Sequence, residues 1–312
     1  MVKIGTPHEQ IQSPEFDKGR LSFDVWFGAH TLQHDFDGLG PLLKDRRYDI
    51  WVPEFVGVSY EHQELLRGMA DGNRSAYQSM MRATPPESPL YGLFRSLYGS
   101  HLKVFFADYT PEQAASDEDF QEEHYSAFSF REVRTLKKAM AHTMDRANLA
   151  AQSYAKREVN IVNNLETGLP EFIERHPKLR DREDIRLLLS IGSAHVNLPD
   201  RLSEAGYRVK SVQQDTSLSP TVEIVRKVQR GEEVERSILV QAALELFIST
   251  ALTHKDSFKL DAIKRQITES FSEEEVARLI PSFNHYGTEL VTDFVIDTLK
   301  RLGADDPDLK VR

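Results

Sequence analysis

Short apolar runs alternate along this chain with longer stretches whose apolar residues recur every three or four positions. The first short run is Phe23-Asp24-Val25-Trp26-Phe27, and it stops at Gly28. Residues 48–52 form a second, stopping at Pro53-Glu54, and 102–107 a third, stopping at Asp108. Residues 185–191 stop at Gly192, and 207–212 make the fifth. Runs this short, rich in β-branched and aromatic residues, predict buried strands. Helical spacing covers 36–46, 59–82, 88–98, 111–123, 128–166 and 198–205. Thr110 is placed to cap the helix that Pro111 opens. Strands alternating with helices predict an α/β fold, a mostly parallel central sheet with helices on both faces.

After about residue 216 the short runs give way to helical periods at 221–230, 234–253, 258–270, 273–281 and 287–302. The expected organisation is an N-terminal arm (1–20), an α/β core (21–215) and an all-helical C-terminal subdomain or cap (216–312). Hydrophobic residues make up 40% of the 312, enough for a sizeable core. A net charge of −10 disfavours nucleic acid, and the longest basic stretch is Lys44-Asp45-Arg46-Arg47. The absence of cysteine excludes disulfides, thiolate zinc sites and a cysteine nucleophile. The run 237–252 is too short to span a bilayer and carries Gln241 and Glu245. No apolar leader opens the chain. A cytoplasmic protein without membrane or nucleic-acid partners, acting on a small molecule or peptide, is expected.

In an open parallel sheet, ligands bind beyond the carboxyl ends of the strands. Four strands end in chemistry-bearing groups: Gly28-Ala29-His30, Pro53-Glu54, Asp108-Tyr109 and Gly192-Ser193-Ala194-His195. A parallel sheet brings these to one rim. His30, Glu54, His195 and Asp108 form a candidate set for a divalent metal (Mn, Co, Zn or Fe) that activates a bound water. Without metal, a Glu54–His195 pair can serve as general base. Arg157, on the long helical tract, can stabilise an oxyanion or clamp a substrate. Asn160 lies one turn further on, and His34 one turn beyond His30; both are candidate substrate-binding residues. Plainer readings stand beside these. The histidines can be hydrogen-bonded structural groups, Asp108 a helix cap, Arg157 half of a helix salt bridge, and His34 with Asp35 a solvated helix face. There is no P-loop, Gly-x-Gly-x-x-Gly, Gly-x-Ser-x-Gly or His-Glu-x-x-His motif.

Together Gly28-Ala29-His30, the run from Tyr48 to Glu54, Arg157 with Asn160, Gly192-Ser193-Ala194-His195, and Leu202-Ser203-Glu204-Ala205-Gly206-Tyr207-Arg208-Val209 form a recognisable series. The series resembles the superfamily joining TraB/Tiki-type proteins, GumN-like proteins, erythromycin esterases and ChaN haem-binding proteins. One residue separates Gly28 from His30 where the family pattern has two, so His30 and His34 compete for the family histidine position. The resemblance covers about residues 20–215. It implies the α/β fold and, for the Tiki-like and esterase-like branches, hydrolysis of an amide or ester, metal-dependent in the former. The ChaN-like branch implies haem binding without turnover, and a regulatory interaction protein is a third reading.

Overall fold

The computed structural model describes residues 16–28, 33–86, 88–125, 133, 135–213, 218–254, 257–286, 288–302 and 309–311. A short 3₁₀ turn (Lys18–Arg20) leads into β1 (Leu21–Gly28), α1 (Gln33–Lys44) and β2 (Ile50–Pro53). Three helices follow: α2 (Tyr60–Ala70), α3 (Arg74–Ala83) and α4 (Pro89–Leu97). Then come β3 (Lys103–Val104), α5 (Pro111–Ser116), α6 (Glu118–Tyr125) and the long α7 (Leu136–Glu174). After α8 (Pro177–Arg180) the chain forms β4 (Ile185–Gly192), α9 (Leu198–Glu204) and β5 (Arg208–Gln213). The C-terminal part holds α10 (Pro220–Arg230), α11 (Arg236–Ala251), β6 (Leu252–His254), α12 (Ser257–Glu269), α13 (Glu273–Tyr286), α14 (Thr288–Arg301) and β7 (Leu309–Val311).

The five strands β1 to β5 form an all-parallel sheet in the order β3-β2-β4-β1-β5, as the alternating pattern predicts. Side chains on a strand alternate between faces, and these do so strictly. Leu21, Phe23, Val25, Ile50, Val52, Ile185, Leu187, Leu189 and Ile191 face one core, beneath the second half of α7 and α9. Trp26, Trp51 and Leu188 face the other, beneath α1 to α4. Near-continuous apolar strands are thus the signature of a sheet covered on both faces. The one hydroxyl in the middle of this pattern, Ser190, is satisfied by the Trp51 indole N–H at 2.9 Å.

Three features depart from the periodicity. The third run pairs only over Lys103–Val104, and Arg67 Nε donates to the Val104 carbonyl at 3.3 Å, blunting this edge of the sheet. The long helix begins and ends later than its spacing suggests, continuing through Gly168 and Pro170 to Glu174. Leu165, Leu169 and Ile173 are fully buried against the sheet, and that packing holds the last turns despite the proline. Gly168 is where Phe105 comes close: a Cβ there would stand 3.1 Å from the ring. The C-terminal part is not wholly helical, because β6 and β7 pair as a small antiparallel ribbon. Among the described residues, no helix is long and apolar enough to cross a membrane.

The two halves of α7 serve different cores. Ile161, Val162, Leu165, Leu169 and Ile173 pack on the sheet. Leu136 and Ala139 pack with α11 to α14, and Ala147 and Ala151 with α10 and α11. Replacing Leu165 with alanine removes a fully buried side chain from the sheet-facing half. It should cost about 2–5 kcal/mol, read as a lower denaturation midpoint at unchanged slope in urea.

Candidate functional site

Glu54, Asp108 and His195 follow three neighbouring strands, β2, β3 and β4. The backbone sets their positions before the side chains meet. Glu54 N–H donates to the Ser190 carbonyl at 2.9 Å, which extends the β2–β4 pairing by one residue. His195 stands in a tight turn after β4, its N–H on the Gly192 carbonyl at 3.0 Å. Asp108 takes the N–H of Tyr109 at 2.7 Å and precedes a helix start in which Thr110 and Gln113 cap each other reciprocally.

Arg157, two residues past the middle of α7, is inserted between these strand ends. Its Nη2 donates to Glu54 Oε1 at 2.7 Å and to Asp108 Oδ2 at 2.6 Å, and its Nε reaches Asp108 Oδ1 at 3.3 Å. Glu54 Oε2 accepts the N–H of Gly192, while Oε1 lies 3.2 Å from His195 Nε2. One carboxylate therefore meets a guanidinium, a backbone amide and an imidazole. The side chains of Arg157 and Asp108 are 3% exposed, that of His195 is fully buried, and Glu54 retains 12%.

On its far side the imidazole faces a second acid. His195 Nδ1 lies 3.8 Å from Glu158 Oε1, too long for a hydrogen bond but close enough for electrostatic coupling. Glu158 is fully buried and accepts from Asn197 N–H at 3.3 Å and Arg201 Nε at 3.1 Å. Tyr154 packs edge-on against the imidazole, ring centroids 4.8 Å apart, and the Arg157 guanidinium lies 5.6 Å from the same Tyr154 ring. Tyr154, Arg157, Glu158 and Ile161 share one helix face by i, i+3, i+4 spacing.

Burial opposes the charge on Arg157, but Asp108 and Glu54 outweigh it together and raise its pKa, so the guanidinium stays charged. Burial also lifts Glu158 above the ordinary carboxylate range; His195 and Arg201 pull it back only in part.

The structure thus brings together Glu54, Asp108, Arg157 and His195. Asn160 stands apart from them: its Oδ1 accepts from Gln113 Nε2 at 3.0 Å, tying α7 to α5, and its buried Nδ2 has no hydrogen-bond partner among the described residues. His34 lies on α1, and nothing of its side chain is described. His30 lies outside the described residues, although the Gly28 carbonyl just before it accepts the N–H of Ser193 at 2.9 Å. Glu158, Tyr154 and Arg201 were not singled out by the strand-end argument, which looks only past the strands. The signal that finds them is a charged pair, Arg157-Glu158, standing inside the apolar stripe of a helix.

Of the candidate metal set, His30 lies outside the described residues, and Glu54 and Asp108 are both engaged by Arg157. The Arg157 guanidinium fills the space between the Glu54 and Asp108 carboxylates. Among the described residues, no group of three or more His, Asp and Glu is disposed to hold an ion. No family model matches this chain, and neither a curated protein nor a solved structure does.

Two outcomes are expected. Asp108→Ala leaves a buried guanidinium short of one partner and should cost about 3–5 kcal/mol in chemical denaturation. Glu158 has a folded-state pKa above its unfolded value of 4.5, so its stabilising contribution is complete below that value and is lost as pH rises through the folded one. Glu158→Gln removes that loss. Stability measured from acid to neutral pH should therefore shift progressively in favour of the variant.

Proposed function

We propose that this protein hydrolyses an ester or amide bond of a small molecule or peptide, using the Glu54–His195 pair to activate water. The observation that carries the reading is the buried assembly of three carboxylates, a guanidinium and an imidazole at the carboxyl ends of β2, β3 and β4. Desolvating such groups costs several kcal/mol per ion, and packed apolar residues would stabilise the same volume better. Perturbed, mutually facing ionisable groups at this edge of a parallel sheet are what acid–base chemistry requires.

In this reading the Glu54–His195 pair takes a proton from water at the edge where Glu54 retains exposure. The hydroxide forms a bond to the substrate carbonyl carbon, and the carbonyl electron pair moves to oxygen. Collapse of the tetrahedral species breaks the bond to the leaving alkoxide or amine, which recovers the proton from the pair. Arg157 fixes Glu54 and supplies positive charge beside the developing oxyanion. Asp108 holds Arg157 in place from the other side.

Hydrolysis by a His/Glu-activated water is what the resemblance to erythromycin esterases implies; the Tiki-like branch implies hydrolysis with a metal. No step here passes through a metal. For the haem reading, His195 is an unfavourable ligand, being fully buried with Nε2 at Glu54 and its ring packed on Tyr154.

A panel of activated esters and amide substrates tests the proposal. Glu54→Gln and His195→Ala should each lower kcat by about a hundred- to ten-thousandfold, with circular dichroism reporting an intact fold. Full activity in folded Glu54→Gln, or no hydrolysis by the wild type across the panel, would overturn it.

A further inference from the structure

The one basic run singled out in the sequence, Lys44-Asp45-Arg46-Arg47, has no part in the centre at Glu54 and His195. It ends just before β2, at the opposite end of that strand. A cleft of about 860 Å³ opens there, a size that suits a small ligand. Its cations come from four separate stretches of chain: Arg46 after α1, Lys103 in β3, Lys178 in α8 and Arg182 before β4. The acidic side chains lining it are Asp49 and Asp71.

Both acids are already engaged. Asp49 accepts from Arg182 at 2.5 Å and from the Arg186 N–H at 3.0 Å, and Asp71 accepts from Lys103 at 2.6 Å. Arg46 and Lys178, both exposed, have no acidic partner among the described residues. Four permanent cations against two carboxylates leave a surplus of two positive charges in one concavity. That surplus stands on a chain whose net charge is −10. With Arg182 and Lys103 balanced by Asp49 and Asp71, the surplus rests on Arg46 and Lys178, like charges that an anion would neutralise.

The neutral groups of the cleft suit the same occupant. Ser100, His101 and His176 supply further hydrogen-bonding side chains, and Pro177 with Leu179 supplies an apolar wall. His176 uses Nδ1 on the Phe172 carbonyl at 2.7 Å, which leaves Nε2 as its outer nitrogen. His101 has φ of 65°, the positive value that non-glycine residues rarely adopt, and is held there by its N–H on the Ala70 carbonyl at 2.9 Å.

We infer that this cleft binds a phosphate monoester of a small molecule. A phosphate dianion matches the surplus of two charges, and an arginine fork beside a lysine is suited to its oxygens. The site is independent of the hydrolytic reading, since it lies at the other end of the strands.

Isothermal titration with inorganic phosphate and with glycerol phosphate tests it, at about 0.15 M sodium chloride, where the surface ion atmosphere is screened. Saturable one-to-one binding is expected, glycerol phosphate binding at least as tightly as inorganic phosphate. Arg46→Ala and Lys178→Ala should each weaken it about tenfold while leaving the melting transition unchanged, because both side chains are exposed. Glu54→Gln should bind like the wild type, which separates this site from the proposed hydrolytic centre. Amide shift changes on titration should centre on Arg46, His101, Lys103 and Lys178. Absence of saturable binding, equal affinity in the Arg46→Ala/Lys178→Ala double variant, or shift changes centred elsewhere would each sink the inference.

Discussion

The contact that organises this molecule is the guanidinium of Arg157 lying between the carboxylates of Glu54 and Asp108. Without it, two acids would be buried side by side at the ends of adjacent strands, and one would have to take up a proton. With it, α7 is tied to β2 and to the segment after β3, and Glu54 is turned toward the Gly192 amide and the His195 imidazole. The arrangement is rigid because each carboxylate oxygen of this pair has a donor. A catalytic acid–base pair needs that rigidity, since proton transfer depends on separations of tenths of an ångström.

The sheet was legible because its strands obey a strong rule. Strands covered on both faces read as near-continuous apolar runs, as 185–191 does, whereas β5 at the sheet edge alternates, with Arg208 and Lys210 exposed. Glu54, Asp108 and His195 were legible for the same reason: chemistry in a parallel sheet gathers past the strand ends. Arg157 was legible as a charge in a helical tract. Glu158 was not, because it reaches His195 from a helix, and a search past the strand ends does not look there. In three dimensions the two turn to different partners, Arg157 to the strand ends and Glu158 to His195, Asn197 and Arg201. The placement of Asn160 was hidden too, since its partner Gln113 stands 47 residues away on α5.

Helix limits were less legible than helix existence. A proline near a helix end predicts a stop, yet α7 passes Pro170 because Leu169 and Ile173 are held in the sheet core on either side of it. Packing outweighs the lost backbone hydrogen bond there. The short β3 shows the opposite case. Its sequence is as apolar as its neighbours', but it lies at the edge of the sheet, where Arg67 occupies a carbonyl that a further strand would need.

At 39 residues, α7 extends about 58 Å, and no single core stabilises the whole of it. Isolated helices are marginal in water, so each half depends on what it lies against. Truncating the chain near residue 216 would strip α10 to α14 from Ala139, Ala147 and Ala151 and bare an apolar stripe several turns long. Such a fragment would be poorly soluble, and fraying would travel from its naked half toward the residues that hold Arg157. The sheet and the C-terminal helices are therefore not separable cassettes: the register of one rod binds their fates together.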